Sequence, residues 1–314
     1  MISPLGDVHL TAPTGPNGRL FTLGSGDYVA RVATVGGALA RLTWRGADLV
    51  LATDAEGDGT AYAPAFSGKV MAPWPNRLRD GRYTWGGAEH QLALTEPEAS
   101  TALHGLVCWQ EWRVAGAAPD RVTLATEIWP QPGYPFRIGL AADYHLGPDG
   151  LCVAVEAVNL GDAPAPYGVA FHPYLRCGDG PLDECLADLP AARVVLTDAR
   201  GLPVREGAVE RHGLDLRGGV ELRQIRADHA FTGFPEGGWQ ASLARPGMPF
   251  RTTIASDTRW AQVFTADHIG RAGLAIEPMS CPADAFRSGD GVIALEPGAR
   301  HTLRARLWAD PVTG

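Results

Sequence analysis

Two residues in this chain of 314 residues carry an ionisable side chain in an apolar, strand-like setting. Glu277 lies within the apolar run 274–279, where a carboxyl group needs either a partner or a chemical role. His172 follows the apolar residues 169–171 and precedes a proline, so a rigid strand end directs its imidazole. Because imidazole and carboxyl groups are common general acids and bases, we predict that both transfer protons. For His172 alone, simple packing at a strand end is an equally good explanation.

A second Glu-Pro pair offers a contrast within the same sequence. Glu296 also ends an apolar run, 292–295, but it precedes Pro297 and Gly298. Because Pro followed by Gly marks a turn, we assign Glu296 to that turn and keep Glu277 as the candidate.

Two shorter motifs contain further polar side chains. In the stretch 72–78, two prolines hold the backbone extended and are followed by the hydrogen-bond donors of Asn76 and Arg77. In 103–106, His104 stands between apolar residues and a glycine. Taken alone, the first motif reads as a stiffened connection and the second as a structural histidine.

Metal and cofactor chemistry fit the sequence less well. His104, His172 and Glu277 are suitable ligand types, but no two of them lie at a close metal-binding spacing. The chain has no Walker loop, GxSxG or HExxH motif, and its glycine-rich stretches do not connect a strand to a helix. We therefore expect neither a metal nor a cofactor.

The elements that would position these residues are mostly strands. Short alternating or β-branched segments recur, separated by turn signals, at 28–35, 38–44, 121–129, 136–146, 151–159, 193–197, 252–255 and 261–265. Segment 151–159 is apolar on both faces, which is typical of a strand covered on both sides. Residues 80–93 predict a hairpin with Gly86 and Gly87 at its tip. The best helix candidates, 181–189 and 282–286, are short.

The dispersed 39 Gly and 25 Pro also favour many strands and turns. No charge run, repeat or linker marks a boundary, so we predict a single domain over 1–314. Its predicted fold is all-β, a large antiparallel β-sandwich with few short helices.

Composition excludes several classes of partner. A net charge of −8 disfavours binding to nucleic acid, and no apolar stretch approaches the ~20 residues that cross a bilayer. The first twenty residues lack a basic start followed by an apolar run, so we expect no signal peptide. Five cysteines without a CxxC pair indicate reduced thiols, and we expect a cytoplasmic protein.

Several motifs, taken in order, resemble the aldose 1-epimerase (galactose mutarotase) family from about residue 15 to residue 308. They are PWPNRLRDGRY at 73–83, LHGL at 103–106, AFHPYL at 170–175 and IEPMSCPADAF at 276–286, with a weaker match at 227–231. The final segment 294–309 is similar to the last strands of the family. Each motif is weak alone, but five in this order are specific.

The resemblance implies a β-sandwich with an open sugar cleft on one sheet, and interconversion of the α and β anomers of a hexose without a cofactor. It implies that Glu277 is the general base and His172 the general acid. The residues that would hold the sugar oxygens are Arg77, His104 and Asp228, with Asn76 beside the arginine. The expected partner is a monosaccharide, bound by a monomer or a homodimer.

Departures from the better-known members indicate similarity to a bacterial subgroup with a broader choice of sugar. These are Trp74-Pro75 before the Asn-Arg pair and His-Pro-Tyr after Phe171. We place Trp74 near the sugar as a stacking face, with an ordinary core position as the alternative.

The residue types suit this chemistry independently of the resemblance. Opening a pyranose requires removal of the proton on the anomeric hydroxyl and protonation of the ring oxygen. A carboxylate and an imidazolium on opposite sides of the C1–O5 unit supply both, each accelerating the reaction ~10²–10⁴-fold. Because the two groups exchange roles on reclosure, we expect a raised pKa for Glu277 and a pKa near neutrality for His172.

Three other functions fit the same residues. An epimerase of a phosphorylated or sulfonated hexose would need a further cation, for which Arg79, Arg82 and Arg137 are available. A sugar-binding protein without catalysis would not need an opposed acid and base. A glycoside hydrolase or lyase would need a second carboxylate, which Asp228 could supply, or a Tyr base in place of the histidine.

Overall fold

A computed structural model of the chain describes residues 15–53 and 63–312. The predicted absence of a signal peptide concerns mainly residues 1–14, which lie outside the described residues. No helix in the described ranges is long and apolar enough to span a membrane.

Strands form most of the described structure. The first nine are β1 (Leu20–Ser25), β2 (Tyr28–Ala33), β3 (Ala38–Trp44), β4 (Ala47–Asp48), β5 (Val70–Met71), β6 (Arg77–Arg79), β7 (Arg82–Trp85), β8 (Ala88–Gln91) and β9 (Thr101–Leu103). The next nine are β10 (Arg113–Ala118), β11 (Arg121–Ile128), β12 (Ile138–Gly147), β13 (Gly150–Asn159), β14 (Ala165–Tyr167), β15 (Ala170–Phe171), β16 (Tyr174–Leu175), β17 (Leu186–Asp188) and β18 (Arg193–Thr197). The last nine are β19 (Pro203–Ala208), β20 (Val220–Glu221), β21 (Asp228–Thr232), β22 (Trp239–Ala244), β23 (Phe250–Ser256), β24 (Trp260–Phe264), β25 (Leu274–Met279), β26 (Ile293–Leu295) and β27 (Arg300–Pro311).

Helical segments are short. Within the described ranges, one α-helix occurs, α1 (Ala285–Ser288). Single 3₁₀ turns occupy Pro64–Phe66, Leu182–Glu184, Val209–His212, Leu222–Gln224 and Asp267–Ile269.

Two large antiparallel sheets dominate the fold. The nine-stranded sheet has the order β10-β11-β12-β13-β27-β23-β22-β17-β20. The eight-stranded sheet has the order β19-β18-β21-β24-β25-β15-β5, and β16 also pairs with β25. Tyr144 of the first sheet packs edge-on against Phe171 of the second, with ring centroids 6.4 Å apart. The predicted all-β antiparallel sandwich is confirmed.

Most sequence-predicted strands occur where the alternation placed them. Segments 38–44 and 193–197 match β3 and β18, and the hairpin of β7 and β8 turns at Gly86 and Gly87. The prediction for segment 151–159 is wrong in one respect, because β13 is buried on one face and partly exposed on the other.

Both helix predictions need correction. Residues 181–189 form one 3₁₀ turn followed by β17, whose backbone pairs with β22 instead of closing a helix. In 282–286, Asp284 takes a left-handed conformation, so α1 begins only at Ala285.

Candidate functional site

The candidate site lies on one face of the eight-stranded sheet and follows from its register. Ala170 pairs with Met279 and Tyr174 with Ala275, so His172 lies directly across from Glu277. Glu277 also pairs with Gln262 on β24. Because side chains alternate between faces, Phe171 enters the core between the sheets while His172 points the other way. The polar residues of three neighbouring strands therefore form one row.

This row forms part of the lining of a cavity of about 280 Å³. Six of the seven sequence-predicted site residues line it, namely Asn76, Arg77, His104, His172, Asp228 and Glu277. Further lining comes from Phe66, Glu96, Tyr174, Gln262, Phe264 and His268, among others. Larger grooves occur elsewhere, such as one of about 610 Å³ beside Trp85 and Phe136, but their linings contain neither His172 nor Glu277.

His172 and Glu277 are in direct contact. Nε2 of His172 lies 3.3 Å from Oε1 of Glu277, and both side chains are buried. The His172 ring stacks on Tyr174, with centroids 5.1 Å apart. Its backbone N–H donates to the carbonyl of Lys69, and its own carbonyl accepts from Gly68. The imidazole is thus held by the sheet edge and by an aromatic neighbour.

Burial has the largest effect on the pKa values of this pair. It raises the pKa of Glu277 well above its usual range, with Asp228 adding to the rise and Arg77 opposing it. It lowers the pKa of His172 far below the usual imidazole value. The expected rise for Glu277 agrees with this direction, whereas the expected near-neutral His172 is wrong, because no charged neighbour offsets its burial. Because the two side chains are in contact, they titrate as a coupled pair, and burial favours the uncharged form of both.

His104 is held by a reciprocal contact with Asn76. The backbone N–H of Asn76 donates to the ring nitrogen Nδ1 of His104 at 3.2 Å. In return, the backbone N–H of His104 donates to the backbone carbonyl of Asn76 at 2.9 Å. Because Nδ1 accepts, the ring proton lies on Nε2. Burial, followed by His172 and Arg77, lowers the pKa of His104, so its imidazole is neutral. It therefore offers one N–H donor.

Gly105 explains why this histidine motif requires a glycine. Its φ is +73°, and a Cβ there would come within 2.1 Å of the carbonyl oxygen of Ala72. The segment carrying His104 thus packs backbone to backbone on the segment that leads to Asn76 and Arg77.

Arg77 is the centre of an ionic network at the cavity wall. Its Nε and Nη2 donate to the two oxygens of Glu96 at 2.8 and 2.9 Å, and Nη1 approaches Asp228 at 3.4 Å. Gln262 donates from Nε2 to the other oxygen of Asp228 at 2.6 Å. Glu96 and Gln262 were missed in the sequence. Gln262 lies in the apolar strand β24, and the rule that selected Glu277 could also have found it, whereas the loop position of Glu96 gives no such signal.

Trp74 requires a correction. It is 4% exposed, its indole N–H donates to the carbonyl of Ala102 at 3.2 Å, and its ring packs against Phe286. It belongs to the hydrophobic core and does not line the cavity. The predicted stacking face is therefore wrong, because the hydrogen bond to Ala102 and the packing against Phe286 hold this ring in the core, the alternative position.

The three arginines considered for an anionic group all lie outside the cavity lining. Arg79 pairs with Asp284 at 3.5 Å, and Arg137 pairs with Glu127 at 2.8 Å. Arg82 donates to Gln91 on the facing strand of its hairpin. Glu296 is exposed in the turn between β26 and β27, as predicted.

The described residues contain no group of three or more His, Cys, Asp or Glu side chains arranged to hold a metal ion. His104 and His172 are close, with ring centroids 5.5 Å apart, but Nδ1 of His104 is already an acceptor. The geometry thus gives the alternative metal site little support.

Comparison with known proteins adds an independent observation. The family described as aldose 1-epimerase matches residues 19–308 of this chain. The chain belongs to the aldose 1-epimerase family. The Escherichia coli (strain K12) protein YihR, described as uncharacterized, is 36% identical over 93% of this chain and 94% of its own length.

Solved structures share the fold of this family member. The GalM/aldose epimerase homologue from C. elegans matches with a TM-score of 0.84 at 19% identity, over 94% of this chain and 99% of its own. A galactose 1-epimerase from Lactobacillus acidophilus NCFM matches with a TM-score of 0.80 at 18% identity, over 94% and 95%. At these identities, the likeness concerns the fold.

Proposed function

We propose that this member of the family is an aldose 1-epimerase that interconverts the α and β anomers of a hexose by opening and reclosing the ring. The observation that carries the proposal is the buried contact between His172 and Glu277, at 3.3 Å, in a cavity lined by hydrogen-bonding groups. The anomeric hydroxyl and the ring oxygen are both bonded to C1. A neighbouring acid and base can therefore reach both oxygens, and this pair lies in contact instead of on opposite sides of the C1–O5 unit as expected from the residue types.

In the proposed reaction, Glu277 takes the proton of the anomeric hydroxyl and His172 gives a proton to the ring oxygen. The C1–O5 bond breaks, leaving an aldehyde at C1 and a hydroxyl at C5. Rotation about C1–C2 presents the other face of the aldehyde, and reclosure returns both protons with the roles exchanged. Burial favours the protonated form of Glu277 and the neutral form of His172. The proposed reaction therefore begins with transfer of this proton from Glu277 to His172 on sugar binding, which leaves a carboxylate as the base and an imidazolium as the acid.

The other polar groups of the cavity suit the sugar hydroxyls. The Nε2–H of His104 and the N–H groups of Arg77 are donors, while the Asp228 carboxylate accepts. Charge-assisted hydrogen bonds of this kind are about twice as strong as neutral ones, which favours Arg77 and Asp228 as anchors for the ring.

Polarimetry tests the proposal directly. Freshly dissolved α-D-glucose and α-D-galactose should reach their equilibrium rotation faster with the protein than without it, in proportion to its concentration. A disaccharide incubated in parallel should stay intact. Binding without acceleration would contradict the proposal and support a sugar-binding protein, while cleavage of the disaccharide would support a hydrolase.

Activity should survive metal removal. Proton transfer between His172, Glu277 and the sugar needs no further group, so we expect rates within about twofold of the untreated protein after EDTA treatment and dialysis. The measurement is the same polarimetric rate before and after chelation. Loss of activity that a divalent ion restores would instead support a metal site at His104, His172 and Glu277.

A further inference from the structure

Glu96 neutralises the one guanidinium of the cavity. It binds Arg77 through both carboxylate oxygens, and Thr101 donates from Oγ1 to Glu96 at 2.6 Å. These hydrogen bonds outweigh burial and lower the pKa of Glu96, while the pKa of Arg77 is raised, so both remain charged. A paired, bidentate arginine keeps a fixed geometry but offers little net positive charge to a ligand.

The cavity is lined by more carboxyl groups than Lys and Arg side chains. Its lining contains three carboxyl groups, Glu96, Asp228 and Glu277, and Arg77 as its Lys or Arg side chain. All 27 Lys and Arg residues of the chain fall within the described ranges, because residues 1–14, 54–62 and 313–314 contain none. The count of Lys and Arg side chains is therefore complete. An anionic ligand would meet Arg77 only in the company of Glu96 and Asp228.

Lys69, which precedes β5, directs its ammonium group away from the cavity. Lys69, across from His172 at the sheet edge, is fully buried, and its ammonium donates to the carbonyl of Val35 at 3.3 Å. It also lies 4.3 Å from the ring centroid of Trp109. It does not line the cavity.

We propose that Glu96 is a positioning and specificity-determining residue that aligns Arg77 for sugar hydroxyls and makes the cavity reject sugars carrying an anionic group. The inference rests on the proposed function and assigns its substrate class, the uncharged aldoses. Three Arg77 hydrogen bonds go to Glu96 and Asp228. This leaves two of its five N–H donors for a ligand. Hydroxyl oxygens can use these donors, whereas a phosphate, sulfonate or carboxylate is also repelled by the two carboxylates.

The test compares three matched sugars on one set of variants. The substrates are the better of D-glucose and D-galactose, its 6-O-methyl ether and its 6-phosphate, with anomer exchange followed by NMR at equilibrium. In the unaltered protein, we expect kcat/KM to be at least ~100-fold lower for the 6-phosphate than for the free sugar. The 6-O-methyl ether should lose far less kcat/KM than the phosphate does. Because the ether carries an uncharged group on the same oxygen, it separates the effect of the substituent's size from the effect of its charge.

The variants separate charge from structure. Glu96→Gln should narrow the ratio of free sugar to phosphate at least ~tenfold, and Glu96→Asp, which retains the charge, should keep it within about threefold. Glu98→Gln removes an equal charge from an exposed position on the same loop and should leave the ratio unchanged. Raising the salt concentration should narrow the ratio in the unaltered protein more than in Glu96→Gln.

Several outcomes would overturn the inference. These are equal handling of sugar and phosphate by the unaltered protein, an unchanged ratio in Glu96→Gln, or an equal effect of Glu98→Gln. Exchange of neither sugar would instead contradict the proposed function. Calorimetric affinities for the same three sugars then still decide the charge preference, so the two failures can be distinguished.

Discussion

Glu277→Gln should reduce anomer interconversion at least ~100-fold while leaving the fold intact. The substitution keeps the volume of the side chain but removes the carboxyl group that lies 3.3 Å from His172 and that we propose as the base. General acid–base catalysis contributes ~10²–10⁴-fold, and the loss applies whether Glu277 begins the reaction charged or protonated. The measurement is the polarimetric rate, with circular dichroism and thermal unfolding to check the fold. A variant that keeps more than about a tenth of the rate would remove Glu277 from the mechanism.

The matched control for this variant is Glu296→Gln. It makes the same change at the chain's second Glu-Pro pair, on an exposed turn where substitutions have small effects. We expect a rate within about twofold of the unaltered protein. A large loss at Glu296 together with a small one at Glu277 would show that Glu296, and not Glu277, is needed for the reaction.

His172→Asn should lower kcat at least ~100-fold with only a modest change in KM. Asparagine can still donate a hydrogen bond to the ring oxygen, so ground-state binding is largely kept. It cannot supply a proton, so the transition state loses the larger contribution. Coupled anomer assays over a range of sugar concentrations separate the two constants.

His104→Asn is the natural comparison, because its ring lies only 5.5 Å from that of His172. With Nδ1 held by the Asn76 N–H, His104 has one donor left, which suits binding more than proton transfer. We expect a raised KM and a smaller loss of kcat. If His104→Asn is the variant with the collapsed kcat, the roles of the two histidines are reversed.

Much of the fold could be predicted from the sequence, because the alternation of apolar residues in a strand is a local property. Segments such as 38–44 and 193–197 could be read directly as β3 and β18. The failure at 181–189 has a different origin, since β17 forms by pairing with β22, more than fifty residues away in the chain. Long-range pairing of this kind leaves little trace in a short window.

Residue types identified the candidate site better than they predicted its electrostatics. A carboxyl group in an apolar strand was enough to select Glu277, but the direction of the His172 pKa depends on how completely its neighbours exclude water. Glu96 reaches the cavity only because its loop returns beside Arg77. Trp74 is the converse case: it is adjacent to site residues in the sequence, but its side chain is buried in the core.

The pairing of His172, Glu277 and Gln262 across neighbouring strands also restricts how relatives of this chain can vary in length. One residue inserted or deleted within β25 before Glu277 would turn the following side chains to the opposite face and present Ile276 or Pro278 where Glu277 now stands, and the same change in β24 would displace Gln262. The connection 265–273 can change length without that effect. Changes of chain length that keep the site intact are therefore confined to the loops.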